Sequence, residues 1–116
     1  MAKFEFKNNS VELEINGQIF SVELTNEVLL SCDSIGEKAR AILKKIDKNE
    51  DEKNVLVQAC DVMVEGIEGI IGEGSVSKIF GEKAITLFDL TDILIFIRVE
   101  VSAALQKKLA EYGIKK

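Results

Sequence analysis

Apolar and polar residues alternate strictly on either side of an Asn-Gly pair near the N-terminus. The segment VELEINGQIFSVEL places apolar side chains at every second position before and after Asn16-Gly17. Asn-Gly is the preferred pair for a type I′ two-residue turn, in which both residues have positive φ. This turn pairs Ile15 with Gln18 and Leu13 with Phe20, which brings the apolar side chains onto one face. We therefore predict a β-hairpin with this inner face: Val11, Leu13, Ile15, Phe20, Val22 and Leu24.

Apolar and polar residues also alternate before the hairpin, but there the apolar residues stand at even positions, whereas those of the first strand stand at odd positions. Phe4 and Phe6 are apolar, and the run Asn8-Asn9-Ser10 separates them from the hairpin. Such a polar run is typical of a turn or a bulge. A short third strand over the two phenylalanines is therefore one interpretation of this segment.

After Thr25, an expected N-cap, the apolar period changes from two residues to three or four, which predicts helices. The first helix has this stripe: Val28, Cys32, Ile35, Ala39, Ile42 and Ile46. The charged segment 47–54 is interpreted as a solvated loop or a frayed helix start. A second helix follows and has this inward stripe: Leu56, Cys60, Met63, Ile67 and Ile70. Gly72 and Gly74 are expected to end it with a left-handed cap.

Two further helical segments complete the chain. Ser75 is the expected cap of a short turn that Gly81 ends. Thr86 with Asp89 three residues later predicts the start of a last helix, from about Leu87 to Tyr112. Its main apolar stripe contains Leu90, Leu94, Ile97, Val101, Leu105 and Tyr112.

These elements predict a mostly helical α+β fold, in which the N-terminal β-hairpin lies against three main helices. A chain of 116 residues is the size of one compact domain. We assign residues 1–116 to a single domain, with a hairpin region over 1–24 and a helical region over 25–113.

Composition and charge exclude several classes of function. The net charge is −5, whereas nucleic-acid binding needs an excess of basic residues. There is no histidine, which excludes histidine-based triads and histidine-ligated zinc. The most apolar stretch, 85–105, contains four charged residues, which argues against a membrane span. Two cysteines without a CxxC pair suit reduced thiols, so we expect a cytoplasmic protein.

No motif in the sequence supports a metal, a cofactor or catalysis. Asp47, Asn49 and Asp51 imitate the start of an EF-hand loop, but Glu52 and Gln58 stand where that loop needs Gly and Glu. The glycines of the second helix lie late in the helix and at its end, whereas a dinucleotide loop opens a helix; close packing through Gly66 and Gly69 explains them. Cys32 and Cys60 lie on inward stripes without a histidine to activate them. We therefore expect no enzyme activity, no metal and no cofactor.

The last helix carries more apolar surface than one buried face needs. A second stripe, made of Phe88, Ile95 and Val99, lies roughly opposite the main stripe. A helix that is apolar on more than one side is either central in a core or part of an interface. We predict that this stripe is a surface for self-association or partner binding. The hairpin edge is a second candidate, unless Glu12, Glu14 and Glu23 keep it solvated.

The order of these segments resembles a known family. The hairpin VELEINGQIFSVEL, two helices and the block GIEGIIGEGSVSKIFGEKAITLFDLTDILIFI are similar to the small tail assembly chaperones of long-tailed, siphovirus-like phages and prophages of Gram-positive bacteria. The similarity runs from about Val11 to about Leu109. It is sharpest between Gly69 and Gly81, where a helix ends in glycines before a short Ile79-Phe80-Gly81 turn.

The resemblance implies a non-enzymatic role in the host cytoplasm. Such chaperones bind the aggregation-prone tape measure protein, keep it soluble and help recruit the major tail protein during polymerisation of the tail tube. It also implies a homo-oligomer. From the acidic net charge and the charged residues of the most apolar stretch, we expect neither nucleic acid nor a membrane as a partner. The alternative is a small structural tail or neck protein that persists in the virion.

Overall fold

The computed structural model describes residues 1–48 and 51–114 as a β-hairpin followed by helices. The strands are β1 (Ser10–Ile15) and β2 (Gln18–Glu23). The helices are α1 (Asn26–Leu43), a 3-10 helix over Lys44–Lys48, α2 (Glu52–Ile71), the short α3 (Ser75–Phe80) and α4 (Leu87–Glu111). The predicted fold class, a hairpin with three main helices, is confirmed.

The hairpin has the predicted turn and register. Asn16 and Gly17 both have positive φ, 50° and 81°. Ile15 pairs with Gln18, and Leu13 pairs with Phe20. On the inner face Leu13, Ile15, Phe20 and Val22 are buried, and Val11 and Leu24 are partly buried against the same core. The inner face of the hairpin is thus one wall of the core.

The segment before the hairpin is not a third strand. No strand includes residues 1–9, and Asn9 only extends the hairpin by accepting a hydrogen bond from the backbone N–H of Leu24 at 2.9 Å. Phe4 and Phe6 are largely exposed and meet each other edge to face, with ring centroids 5.2 Å apart. The pair shows the alternation of a strand but lies against neither a partner strand nor the core, and this interpretation was wrong.

Helix α1 begins and packs as its stripe predicts. The hydroxyl of Thr25 accepts a hydrogen bond from the backbone N–H of Val28 at 3.3 Å, as an N-cap does. Cys32, Ile35 and Ala39 are buried in the middle of the stripe. Val28 and Ile42 are partly buried. Ile46 is also partly buried, but it lies in the 3-10 helix, since α1 ends at Leu43.

The predicted stripe of α2 is confirmed at Met63 and Ile67 and is wrong at Leu56. The buried residues are Val55, Ala59, Met63, Ile67 and Ile71. Leu56 is exposed, whereas Cys60 and Ile70 are only partly buried. An apolar residue stands next to each of these three in the sequence, so the helical period fits either choice. The elements packed against α2 decide which of the two is buried.

The described residues of the charged segment 47–54 belong to the 3-10 helix and to α2 with its cap. The first two residues of the segment end the 3-10 helix, and Asn49 and Glu50 lie outside the described residues. Asp51 caps α2, because its carboxylate accepts a hydrogen bond from the backbone N–H of Lys53 at 3.1 Å.

The short helix α3 begins at its predicted cap residue, so both the cap and the helix start lie one residue earlier than predicted. Gly74, with φ 79°, is the N-cap residue, and Ser75 is the first residue of the helix. Ser75 is 2% exposed, and its hydroxyl has no hydrogen-bond partner among the described residues. Gly72 ends α2 with φ 117° and donates its N–H to the carbonyl of Glu68 at 2.9 Å. The residue has positive φ, but it is not in the left-handed helical conformation that the sequence predicted.

The C-terminal end of helix α4 extends beyond the buried core. The N-cap of α4 is the predicted one, since the hydroxyl of Thr86 accepts the backbone N–H of Asp89 at 3.1 Å. The main stripe is buried as far as Val101, but Leu105 is only partly buried. Tyr112 is 64% exposed, so its assignment to the stripe was wrong. The radius of gyration is 17.1 Å, compared with about 13 Å for a compact chain of this length.

Candidate interaction surface

The side of α4 that faces away from the core is apolar and open to solvent. The predicted second stripe lies there: Phe88 is 81% exposed, Ile95 55% and Val99 54%. Phe96 (38% exposed), Ala103 and Ala110 lie on the same side. At 3.6 residues per turn these six residues fall within an arc of about 100°. We call these six residues the outer face of α4.

Two polar residues interrupt the outer face. Asp92 and Gln106 fall in the same arc, and both are exposed. Neither side chain is in a hydrogen bond or an ion pair within residues 1–48 and 51–114. Apolar side chains therefore dominate the arc from Phe88 to Ala110, a span of about 33 Å at 1.5 Å per residue.

A groove between α1 and α4 adjoins the outer face. Its volume is about 520 Å³, and its apolar lining includes Cys32, Ala39, Met63 and Leu94. Ile95 belongs both to the groove and to the outer face. On its rim, Nε of Arg98 donates to the carboxylate of Asp33 at 3.1 Å. This groove was not predicted, because it exists only where two helices distant in sequence come together.

The two cysteines lie in surroundings that disfavour the thiolate. Cys32 is 3% exposed at the groove, and burial raises its pKa, a rise that Arg98 partly offsets. Burial also raises the pKa of the partly buried Cys60, and the charge of Asp61 adds to that rise. The thiolate is the nucleophilic form of cysteine. The surroundings of both thiols thus favour the small apolar role that the sequence predicts for them.

The hairpin edge is the weaker of the two candidate surfaces. Glu12, Glu14 and Glu23 are all exposed on the outer side of the hairpin. Charged side chains on an exposed strand discourage the addition of another strand. Ile19, 64% exposed, is the large apolar residue of this side.

A metal site needs a cluster of ligating side chains, and a membrane span needs a long apolar helix. Within 1–48 and 51–114, no three Cys, Asp or Glu side chains are grouped as metal ligands would be. The EF-hand-like triplet includes Asn49, which lies outside this part of the chain. None of the helices in the same ranges has the length and hydropathy needed to cross a bilayer.

Comparison with known proteins places the chain in a family. Residues 9–116 match DUF6673, which is described as a family of unknown function. No curated protein and no solved structure matches the chain. Because the match covers nearly the whole sequence, the chain belongs to this family.

Proposed function

We propose that this member of DUF6673 is a non-enzymatic phage tail assembly chaperone. It binds the tape measure protein, keeps it soluble and aids polymerisation of the tail tube. The observation that carries the proposal is the exposed, apolar outer face of α4. An exposed surface on which apolar side chains predominate is typical of a protein interaction site, and the order of elements from the hairpin to α4 resembles that of tail assembly chaperones.

The surface suits a helical, apolar client. An amphipathic helix binds an apolar groove through side chains spaced three, four and seven residues apart. The groove between α1 and α4 and the adjoining outer face provide such a track, with Ile95 at their junction. A tape measure protein is long and aggregation-prone, so covering its apolar segments in this way keeps it in solution.

The charge of the chain supports the same role. The net charge is −5, and Asp33, Glu37, Arg40 and Arg98 line the groove beside its apolar residues. A net charge well away from zero keeps a protein and its complexes soluble. A carrier of this kind delivers the client to the major tail protein in the host cytoplasm.

Co-expression with the tape measure protein of the same phage or prophage tests the proposal. We expect this chain to raise the soluble fraction of the client, and Ile95→Glu to abolish that effect. The matched control is Leu30→Glu, which introduces the same charge at a residue 59% exposed on α1 and outside the outer face. Client solubility that is independent of the chain, or equal loss with both variants, contradicts the proposal.

Mass spectrometry of purified particles separates the chaperone from its alternative. A chaperone leaves the tail once assembly is complete, so the finished particle lacks it. Detection of the chain in stoichiometric amounts would instead identify a structural tail or neck protein.

A further inference from the structure

The outer face of α4 is graded by side-chain size along the helix. Its N-terminal half carries Phe88, Ile95 and Phe96, and its C-terminal half carries Ala103 and Ala110. Val99 lies between the two halves. The large side chains are 38% to 81% exposed, and the two alanines are also exposed. The N-terminal half of the face therefore carries large protruding side chains, whereas the C-terminal half carries only the small side chains of alanine.

The two polar residues of the face are placed symmetrically about the same centre. Asp92 precedes Val99 by seven residues, and Gln106 follows it by seven. A carboxylate accepts hydrogen bonds, whereas the amide of Gln donates them. The only polar groups in the arc are thus a complementary pair at equal distances from Val99.

We infer that the partner of this face is a second copy of the chain, with the two α4 helices antiparallel and the two-fold axis at Val99. In an isologous contact, residue i meets j and residue j meets i. Phe88 then lies against Ala110 of the second copy, and Ile95 lies against Ala103. The amide of Gln106 donates to the carboxylate of Asp92 of the second copy, and the symmetry makes this bond twice.

A parallel pair of the same helices lacks this complementarity. It places Phe88 against Phe88 and Ala103 against Ala103. Large side chains then meet each other, and a gap remains between the alanines. The parallel pair also brings Asp92 next to its own copy, and two like charges in a contact are unfavourable. Size, hydrogen bonding and charge all favour the antiparallel arrangement.

The contact uses only residues of this chain, so it does not depend on the identity of the client. A second copy and a client helix occupy the outer face in turn. A failed dimer test therefore leaves the co-expression experiment standing, and a failed co-expression leaves the dimer standing.

Light-scattering chromatography across a concentration series measures the pairing directly. The intact chain should reach twice its monomer mass, and Ile95→Glu should weaken dimerisation by at least about 30-fold, because each dimer then buries two unpaired charges. Leu30→Glu is again the control, and we expect it to dimerise as the unmodified chain does. Circular dichroism verifies that both variants are folded.

Disulfide trapping tests the direction of the helices. Mixing the Phe88→Cys chain with the Ala110→Cys chain under mild oxidation should give a cross-linked heterodimer, whereas Phe88→Cys alone should not cross-link to itself through that position. The unmodified chain, oxidised in parallel, measures the contribution of Cys32 and Cys60. A strict monomer, an Ile95→Glu chain that still dimerises, or trapping of Phe88→Cys with itself overturns the inference.

Discussion

Gly66 on α2 lies directly against the side chain of Ile35 on α1. A Cβ atom placed on Gly66 would be 2.4 Å from Cγ1 and 2.5 Å from Cδ1 of Ile35. Carbon atoms in favourable contact are about 3.5 to 4.0 Å apart. The absence of a side chain at this position therefore sets how closely the two helices approach.

We expect Gly66→Ala to destabilise the fold. Ile35 is 7% exposed and β-branched, so its side chain has little freedom to move away from the new methyl group. Overpacking costs about 1 to 3 kcal/mol, and the better helix propensity of Ala recovers about 1 kcal/mol of it. Urea denaturation should thus show a net loss of stability.

Gly69→Ala is the matched control for that substitution. It lies in the same helix, but a Cβ there would meet nothing within 4 Å. Ala in place of a helical Gly then stabilises by about 0.5 to 1 kcal/mol. If the two variants proved equally stable, the close approach at Gly66 would have no energetic consequence.

An introduced charge should lower the stability of the fold strongly at one residue of α4 and hardly at all at the next. Leu94 is 6% exposed, so Leu94→Asp buries an unpaired carboxylate and should cost at least about 3 kcal/mol, enough to unfold a marginal domain. Ile95 is 55% exposed, and Ile95→Glu should change the stability of the monomer by less than about 0.5 kcal/mol.

Thermal denaturation followed by circular dichroism measures both variants. Because self-association also contributes to apparent stability, the comparison is made at concentrations where the chain is monomeric. An unfolded Ile95→Glu monomer would show that this residue supports the fold, and its loss of binding would then no longer identify an interface.

The turn of the hairpin should be sensitive to two separate properties of Asn16. Its side-chain amide donates to the backbone carbonyl of Ile79 at 2.7 Å, which ties the hairpin to α3. Asn16→Gly keeps the positive φ but loses this bond, at about 1 kcal/mol. Asn16→Ala loses the bond and also strains the backbone, which adds about 1 to 2 kcal/mol. Equal denaturation midpoints for the two variants would contradict this separation.

The cap of α4 should make stability depend on pH. Hydrogen bonds from Lys83 and then from Thr86 hold the pKa of Asp89 below its ordinary value. A carboxyl whose pKa is lowered by folding stabilises the protein above about pH 4 and loses that contribution as the pH falls through its folded pKa. Asp89→Asn should therefore lower the melting temperature more at about pH 7 than at about pH 3.

Removal of Lys83, the strongest hydrogen-bond donor to Asp89, provides the control for the pH dependence. Lys83→Met keeps the carboxylate but removes the side chain that lowers its pKa most. We expect its melting temperature to vary less with pH between about 3 and 5 than that of the unmodified chain. Identical pH profiles for the two proteins would assign no role to this ion pair.

Local patterns in the sequence were enough to predict the hairpin and most helix ends. The Asn16-Gly17 turn determines the strand register because the two-residue loop allows one pairing. Thr25 and Thr86 cap helices through hydrogen bonds to residues three positions later. These features depend on neighbours in the chain, so the sequence contains all that they need.

The errors occurred where burial depends on a distant element. Val55 is buried in α2, whereas the adjacent Leu56 is 40% exposed, although both are apolar. Gly66 meets α1 closely, but Gly69, which the sequence also assigned to close packing, meets nothing. The apolar period of a helix does not state where the neighbouring helix lies.

The sequence by itself determined most of the secondary structure, the fold class and the existence of a second apolar stripe on the last helix. Only the tertiary structure decided that Phe88, Ile95 and Val99 remain exposed and that a groove opens beside them. The reason is physical: an apolar stripe follows from spacing along one helix, whereas its exposure depends on which other elements cover it. Within the described residues, the hairpin, α1 and α2 cover the opposite side of α4 and leave the outer face exposed.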